Sequence, residues 1–348
     1  MKTLETERLI LRKFTHEDFA AVHSYASCKG NVIYMLFGPN SEDETKAFIN
    51  RAISHAEQTP WNQSSYAVVL KSTNTLIGSC DIHRRDNNSA EIGWILHCDY
   101  WNQGYGTEMG NELLRLGFEE LNLQRIIACC DADNIGSYSL MEKLGMRRDA
   151  HFRDCRPAHK QSQRRYGDEL HYSILKSDWE TVKQIAYYNS LPFKFTGFID
   201  IPTLTNGDIY LVCTEKTPAN PEKMRVPAYN FIICKNGEKI GNTGLRIGYG
   251  GGPKNDNLYY GGQIGYVINE EYRGNNYAVE ACKLLLYIAK AHKMTKLLIT
   301  NNYTNIPSRR VCEKLGARLI GSMVRLPEWS DLYSEGQRFI NIFEWDLN

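Results

Sequence analysis

The sequence has no Cys-x-x-Cys, no charge imbalance and no long apolar run, and each absence removes a class of function. Its 10 cysteines are scattered, and the adjacent pair Cys129-Cys130 suits neither a conventional disulfide nor a zinc knuckle. Reduced core thiols are expected, with no metal centre. With 41 basic against 40 acidic residues and a net charge of +1, nothing in the balance recruits nucleic acid or an anionic membrane. No stretch approaches the roughly 20 apolar residues of a membrane span. Residues 1–12 mix charge into every turn where a secretory signal carries an apolar core. A cytoplasmic protein is expected, with a small or locally recognised partner.

What is present is a repeat. The segment from Glu91 to Glu108, EIGWILHCDYWNQGYGTE, is answered by the segment from Gln263 to Glu280, QIGYVINEEYRGNNYAVE, at one constant separation. Ile-Gly-aromatic-aliphatic reads as a buried strand, the polar run with Gly or Asn as a tight loop, and Thr107-Glu108 or Val279-Glu280 as a helix start. Such a loop aims backbone N–H groups and the positive helix end at one point, which suits a pyrophosphate. Downstream, NIGSYSLMEKLG from Asn134 to Gly145 answers to NIPSRRVCEKLG from Asn305 to Gly316, with the separation shortened by one residue. Two separated motifs at nearly one offset imply duplication of a whole domain. A length of 348 residues with 42 % hydrophobic content agrees with two ordinary cores.

The spacing places domains at residues 1–178 and 193–348, joined by a linking helix or linker over 179–192. In the first half, strands are expected at Leu9–Phe14, Tyr66–Leu70, Leu76–Ile82, Arg125–Cys130 and Leu170–Ile174. Helices are expected after Thr15, from Ser41 to about Gln58, and from about Thr107 to Leu121. Ser177-Asp-Trp-Glu180 has a capping-box pattern and predicts a helix to about Tyr188. In the second half, strands are expected at Ile209–Cys213, Tyr229–Ile233, Lys239–Asn242 and Lys296–Thr300, with Asn236-Gly237 as a hairpin turn. The insertion Gly248-Tyr-Gly-Gly-Gly-Pro253 reads as a hairpin tip or as a lid beside a site, and the basic stretch Arg153–Arg165 as a solvated hairpin or as a guide for an acidic substrate.

These motifs resemble the GCN5-related N-acetyltransferase superfamily, whose acetyl-coenzyme A loop is commonly written Gln/Arg-x-x-Gly-x-Gly/Ala. Here it stands as Trp101-Asn-Gln103-Gly104-Tyr105-Gly106 and Arg273-Gly274-Asn275-Asn276-Tyr277-Ala278. The first half is similar to the RimJ/RimL branch through LETERLILR from Leu4 to Arg12, the loop, and Asn134-x-x-Ser137 before Lys143-Leu-Gly145. The resemblance implies two tandem α/β (α+β) domains, each a mixed, mostly antiparallel twisted sheet flanked by helices and split at an acetyl-coenzyme A site. It implies direct transfer of an acetyl group to a primary amine, the acceptor being a small molecule or a protein N-terminus. Fused copies are expected to pack as an internal pseudo-dimer.

Acetyl transfer needs a neutral amine, a donor for the carbonyl oxygen and a proton for the departing thiolate. The resemblance assigns the donor to a backbone N–H at Leu96 and Ile268, with Ile95 and Val267 beside them. It assigns cofactor contacts to the loops through Thr107 and Val279, and to Asn134 and Asn305, which otherwise only cap their helices. Ser137 and Ser308 are the implied proton donors, or else satisfy a first helical turn. Glu91 serves as base or proton drain, or sits on a polar strand face, whereas Gln263 at the matching position has no carboxylate. Alternatives to a two-site enzyme are one catalytic half beside a binding or substrate-shaping half, and an acyl-coenzyme A sensor.

Overall fold

The computed structural model describes residues 1–57, 63–85, 88–157, 165–223, 225–249 and 257–347. The chain divides into two compact units, Met1–Glu180 and Thr181–Asn348. The helix Lys176–Ser190 runs through the division, giving Trp179 to the first core and Tyr188 to the second.

The first unit is built on one sheet of eight strands. Six of its neighbouring pairs are antiparallel, and a single parallel pair interrupts them, between Ser89–Leu96 and Arg125–Asp131. That pairing lasts only from Ser89 to Glu91, opposite Arg125 to Ile127. On its other side the same strand stays paired from Ala90 to Leu96 with Thr75–Arg84. The sheet therefore opens immediately after Glu91. Alternation along the strands gives each face its own core. Leu113, Leu114 and Met109 of the helix Tyr105–Arg115 pack on Ile77, Ile82 and Ile126 on one face. The helices Phe19–Ala26 and Glu42–Glu57 cover Ala67, Val69 and Leu76 on the other.

The second unit repeats this order with its sheet in two pieces. Five strands pair in the order Ile264–Ile268, Glu238–Arg246, Ala228–Lys235, Tyr210–Thr217, Leu204–Thr205, and three in the order Lys296–Asn302, Phe339–Asp346, Arg318–Arg325. The parallel ladder of the first unit is replaced by one residue. The Gln263 N–H donates to the Leu298 carbonyl at 2.8 Å, and its side-chain Oε1 accepts from the Leu298 N–H at 2.5 Å. An amide side chain has taken over a backbone acceptor, so one clasp holds what three paired residues hold in the first unit.

Several element expectations change in the structure. Both loop-following helices begin at the tyrosine, Tyr105 and Tyr277, two residues before the expected starts. The first one turns into a wider π-turn at Leu116–Glu120 instead of running regularly to Leu121. The linking helix starts at Lys176, and the carboxylate reaching back is Asp178, which accepts from the Leu175 N–H at 3.4 Å. The Ser41 helix is capped reciprocally by Ser41 and Glu44, and Asn236 (φ 50°) with Gly237 (φ 85°) makes the expected hairpin turn. The expected end at Gln58 and residues 250–253 of the glycine-rich insertion lie outside the described residues, as do residues 158–164 of the basic stretch.

Candidate active site

Each opened strand runs into a loop whose shape the two halves reach with different residues. The loop needs two residues in the left-handed region, and the first half supplies Asn102 (φ 58°) and Gly104 (φ 83°), the second Gly274 (φ 86°) and Asn276 (φ 60°). Glycine and asparagine, the two residue types that tolerate this conformation best, have exchanged places. Asn276 thus keeps the backbone course, and its Oδ1 accepts from Lys314 Nζ at 2.5 Å. Neither Gly104 nor Asn276 caps its helix with a side chain, so the first-turn N–H groups of Tyr105, Gly106 and Thr107, and of Tyr277, Ala278 and Val279, form a helix end suited to an anion.

The departure at the head of the motif has the same explanation. Trp101 Nε1 donates to the Leu96 carbonyl at 2.9 Å, and Arg273 Nε donates to the Ile268 carbonyl at 3.1 Å. Indole and guanidinium both tie the loop to the last residue of the opened strand. In the first half Asn31 adds a second clamp, donating to the Leu96 carbonyl at 2.7 Å and accepting from the Cys98 N–H at 2.9 Å. Gln103 Nε2 donates to the Asp99 carbonyl at 2.8 Å, and Asn275 Nδ2 to the Tyr272 carbonyl at 3.1 Å, closing the loops internally.

A third exchange concerns packing beneath the loop. A methyl group on Gly106 would stand 2.9 Å from Leu140 Cδ2. The second half carries Ala278 there and the shorter Val311 at the position matching Leu140, so one methyl is added where one methylene is removed.

Arg8 and Lys235 were not singled out in the sequence, yet each places a cation on the loop tyrosine. The Arg8 guanidinium lies 4.4 Å from the Tyr105 ring centre, donates to the Gln103 carbonyl at 3.0 Å and pairs with Glu108 at 2.7 Å. Lys235 Nζ lies 4.8 Å from the Tyr277 ring centre and donates to its hydroxyl and to Asp208, both at 2.6 Å. No sequence-local signal marks Lys235, since its tyrosine is far along the chain. Gly78 and Gly241 were also missed. A Cβ would meet the Ile95 carbonyl oxygen at 2.2 Å and the Val267 carbonyl oxygen at 2.3 Å, so only glycine lets the opened strand approach its neighbour. The dipeptides Ile77-Gly78 and Ile240-Gly241, present in both halves, were the available signal.

Asn134 and Asn305, expected to touch the cofactor or to cap their helices, act as helix caps, their Oδ1 atoms accepting from the Ser137 and Ser308 N–H groups at 3.1 Å. The serine hydroxyls differ. Ser137 interacts with the Cys130 thiol, which burial nonetheless pushes up to about 11, whereas Ser308 Oγ pairs with the Tyr266 hydroxyl at 2.9 Å. Around the opening of the first sheet a polar cluster forms. Glu91 Oε2 accepts from Arg85, from Nε at 2.8 Å and also from Nη2. His83 lies opposite Glu91 in the strand register, and its Nε2 pairs with Asp81 at 2.7 Å. The bond to Asp81 and the charges of Asp81 and Glu91 raise the His83 pKa, overcoming burial and the Arg85 charge. Opposite Asp81 is Gly93, whose missing side chain leaves room for that carboxylate.

Strand register places Gly244 opposite Gly265 in the second half, where Asp81 faces Gly93, and Arg246 beside Gln263, where His83 faces Glu91. Gln263 is fully buried, with Nε2 donating to the Gly248 carbonyl at 2.9 Å. Arg246 donates to the Gly261 and Gly262 carbonyls. The second half has filled with structural hydrogen bonds the place where the first carries an acid and an imidazole.

The description "Acetyltransferase (GNAT) domain" matches this chain twice, over residues 8–147 and 167–318. The chain belongs to that family and is an N-acetyltransferase, an acyltransferase whose family uses acetyl-coenzyme A. Its relatives include the uncharacterised N-acetyltransferase YnaD of Bacillus subtilis (strain 168), 35% identical over 177 residues that cover 51% of this chain and 98% of the relative. Another is the putative ribosomal N-acetyltransferase YdaF of the same organism, 30% identical over 111 residues, or 31% of this chain and 58% of the relative. Among solved structures, an acetyltransferase of the GNAT family from Bacillus anthracis is 35% identical, covers 50% of this chain and 99% of its own, and has a TM-score of 0.45. Among the described residues, no helix is long and apolar enough to cross a membrane.

Proposed function

We propose that the chain transfers the acetyl group of acetyl-coenzyme A directly to a primary amine in a ternary complex, with turnover in the first half. The observation that carries this reading is the opened strand Ser89–Leu96, flanked at one end by the Asp81, His83 and Glu91 cluster and at the other by a loop ending in a bare helix start. The pyrophosphate fits the N–H groups of residues 103–107, with Gly104 and Gly106 permitting close backbone approach. The acetyl carbonyl fits beside the strand backbone at Ile95 and Leu96, where an N–H aimed at the oxygen stabilises the charge that develops on it. The amine nitrogen forms a bond to the acetyl carbon and the thioester C–S bond breaks, while the proton shed by the attacking nitrogen passes through the Ser137 hydroxyl to the departing thiolate, leaving the serine neutral. Glu91, directly or through water, receives the proton that the ammonium must lose before attack.

The second half, in this reading, binds coenzyme A through Arg273, Gly274, Asn275, Asn276, Tyr277, Ala278 and Val279, with Ile268 and Val267 beside the acyl group, and shapes or regulates instead of turning over. Gln263 favours this division, because its side chain is committed to the clasp with Leu298 and Gly248 and carries no basic oxygen. A protein N-terminus or a small amine is the acceptor class, and the similarity to a putative ribosomal N-acetyltransferase favours a macromolecular acceptor. The test is thiol release from acetyl-coenzyme A over a panel of amines, amino acids and N-terminal peptides. Acceptor-dependent release that is lost in Glu91→Gln and kept in Ser308→Ala supports the reading. Release that requires Ser308 and not Glu91 would place turnover in the second half.

A further inference from the structure

The cysteines that look scattered along the sequence are not all isolated in the fold. Cys129 on the strand Arg125–Asp131 and His171 on Tyr166–Leu175 are direct partners in the antiparallel register, and Glu169 lies two residues away on the same sheet face as His171. The Cys129 Sγ, a His171 ring nitrogen and a Glu169 carboxylate oxygen all lie within 4.8 Å of one another. His171 Nε2 pairs with Glu169 Oε2 at 2.8 Å, and the Phe152 ring stands edge-on to the imidazole with centroids 4.8 Å apart. All three candidate ligands are half-buried, so they are reachable from solvent and partly shielded from it.

From this arrangement we infer that Cys129, Glu169 and His171 form a binding site for a zinc-class divalent cation, separate from the acetyl-coenzyme A loop. One sulfur, one imidazole nitrogen and one carboxylate oxygen are the donor types zinc accepts, and three protein ligands leave a fourth position for water. Zinc ligand bonds of about 2.0–2.3 Å at tetrahedral angles put ligand atoms roughly 3.5 Å apart, so side-chain rotation suffices to close the group. Burial and the charges of Glu91 and Glu169 disfavour a bare thiolate at Cys129, with the Arg85 charge opposing them, so the sulfur binds as the anion only with a cation beside it. Both strands belong to a continuous ladder from Arg125 opposite Leu175 to Asp131 opposite Glu169, which fixes the backbone spacing of the three ligands before any ion arrives. The second half has no such group among its described residues.

The alternative cation ligands are His97, Cys98 and Asp99, three consecutive residues of which Asp99 is exposed. Titration of the full chain with cobalt(II) as a spectroscopic stand-in and with zinc as competitor separates the two. The expected result is one tight site showing a thiolate-to-cobalt absorption band, displaced by zinc, weakened at least tenfold in Cys129→Ser and in His171→Asn, and unchanged in Cys98→Ser. Because the two variants alter different strands, loss of the site in either one that keeps the wild-type melting curve supports the assignment. No thiolate band in the wild type, or a band that Cys98→Ser removes and Cys129→Ser leaves, would overturn it.

Discussion

The two halves share a loop geometry and differ in what stands at the opening of the sheet, and the difference separates a backbone requirement from a chemical one. Where the requirement is conformational, substitution has been free in identity and strict in geometry. Asn102 with Gly104 becomes Gly274 with Asn276, Trp101 becomes Arg273, and Gly106 over Leu140 becomes Ala278 over Val311, each pair meeting the same need. At the opening, geometry is kept by new means and chemistry is not. The Gln263 side chain replaces a parallel ladder and in doing so occupies the position that carries a carboxylate in the first half. A duplicated domain can thus retain a loop geometry while losing the carboxylate beside it.

The largest effect expected from attacking this comparison is on acetyl-coenzyme A binding. Gly104→Glu puts a charged side chain at a left-handed position beside the bare helix start, combining backbone strain of about 1–2 kcal/mol with repulsion of a diphosphate. Calorimetric titration should show the tighter site weakened by about 100-fold or more. Should Asn276→Glu alone remove the tight site, the ranking of the halves is reversed.

Next in size is the exchange at the opened strand. Glu91→Gln should lower turnover by about 100-fold while acetyl-coenzyme A affinity changes by less than about twofold, because a proton acceptor acts on the nucleophile. The reciprocal Gln263→Glu should not create activity. It buries a carboxylate where an amide donates to Gly248, and a melt should report a loss of about 3 kcal/mol in the second unit. Turnover unchanged in Glu91→Gln across pH would remove Glu91 from the mechanism.

A smaller effect tests the compensated packing. Gly106→Ala should cost about 1–2 kcal/mol through the contact with Leu140, and Leu140→Val should recover most of it, giving a double-mutant coupling near 1 kcal/mol. Additive losses would show that the two positions do not share one space.

The smallest effect is on acid stability. For Glu108, burial pushes the carboxyl pKa up, but the bonds from Thr6, the Arg8 N–H and the Arg8 guanidinium outweigh it and hold the pKa below the ordinary value. Bonds from Lys283 and Asn206 lower the Glu280 pKa likewise, burial opposing them. A folded-state pKa below the unfolded one adds stability that is present above the unfolded pKa, begins to fade as pH falls past it, and is lost through the folded pKa. Denaturant melts between neutral pH and pH ~4 should therefore show Glu108→Gln flattening the acid loss of the first unit, with Glu280→Gln, at the more exposed carboxylate, doing less to the second. Equal effects would show that the more extensive bonding of Glu108 adds nothing.

Local signals in the sequence were strong wherever neighbours in the chain decide the structure. The duplication, the strand, loop and helix succession and the Asn-Gly hairpin rest on periodicity and on residues with special backbone freedom, and these act over a few positions. The two capping roles of Asn134 and Asn305 were legible as one of two readings. Less legible were the helix starts at Tyr105 and Tyr277, because a left-handed cap at Gly104 or Asn276 begins the helix earlier than side-chain propensity suggests. The cations on the loop tyrosines, and the need for glycine at Gly78 and Gly241, depend on strands brought together from distant parts of the chain.

By itself the sequence determined that two copies of one α/β domain lie in tandem, each with the same succession of strand, loop and helix, because backbone preference and hydrophobic period are properties of contiguous residues. Only the tertiary structure decided that Gln263 is a clasp, that His83 stands opposite Glu91 with Asp81 bound to it, and that Cys129 meets His171 and Glu169. Those pairings follow from strand register, and register is settled by which faces are buried across the whole sheet, information that no short segment carries.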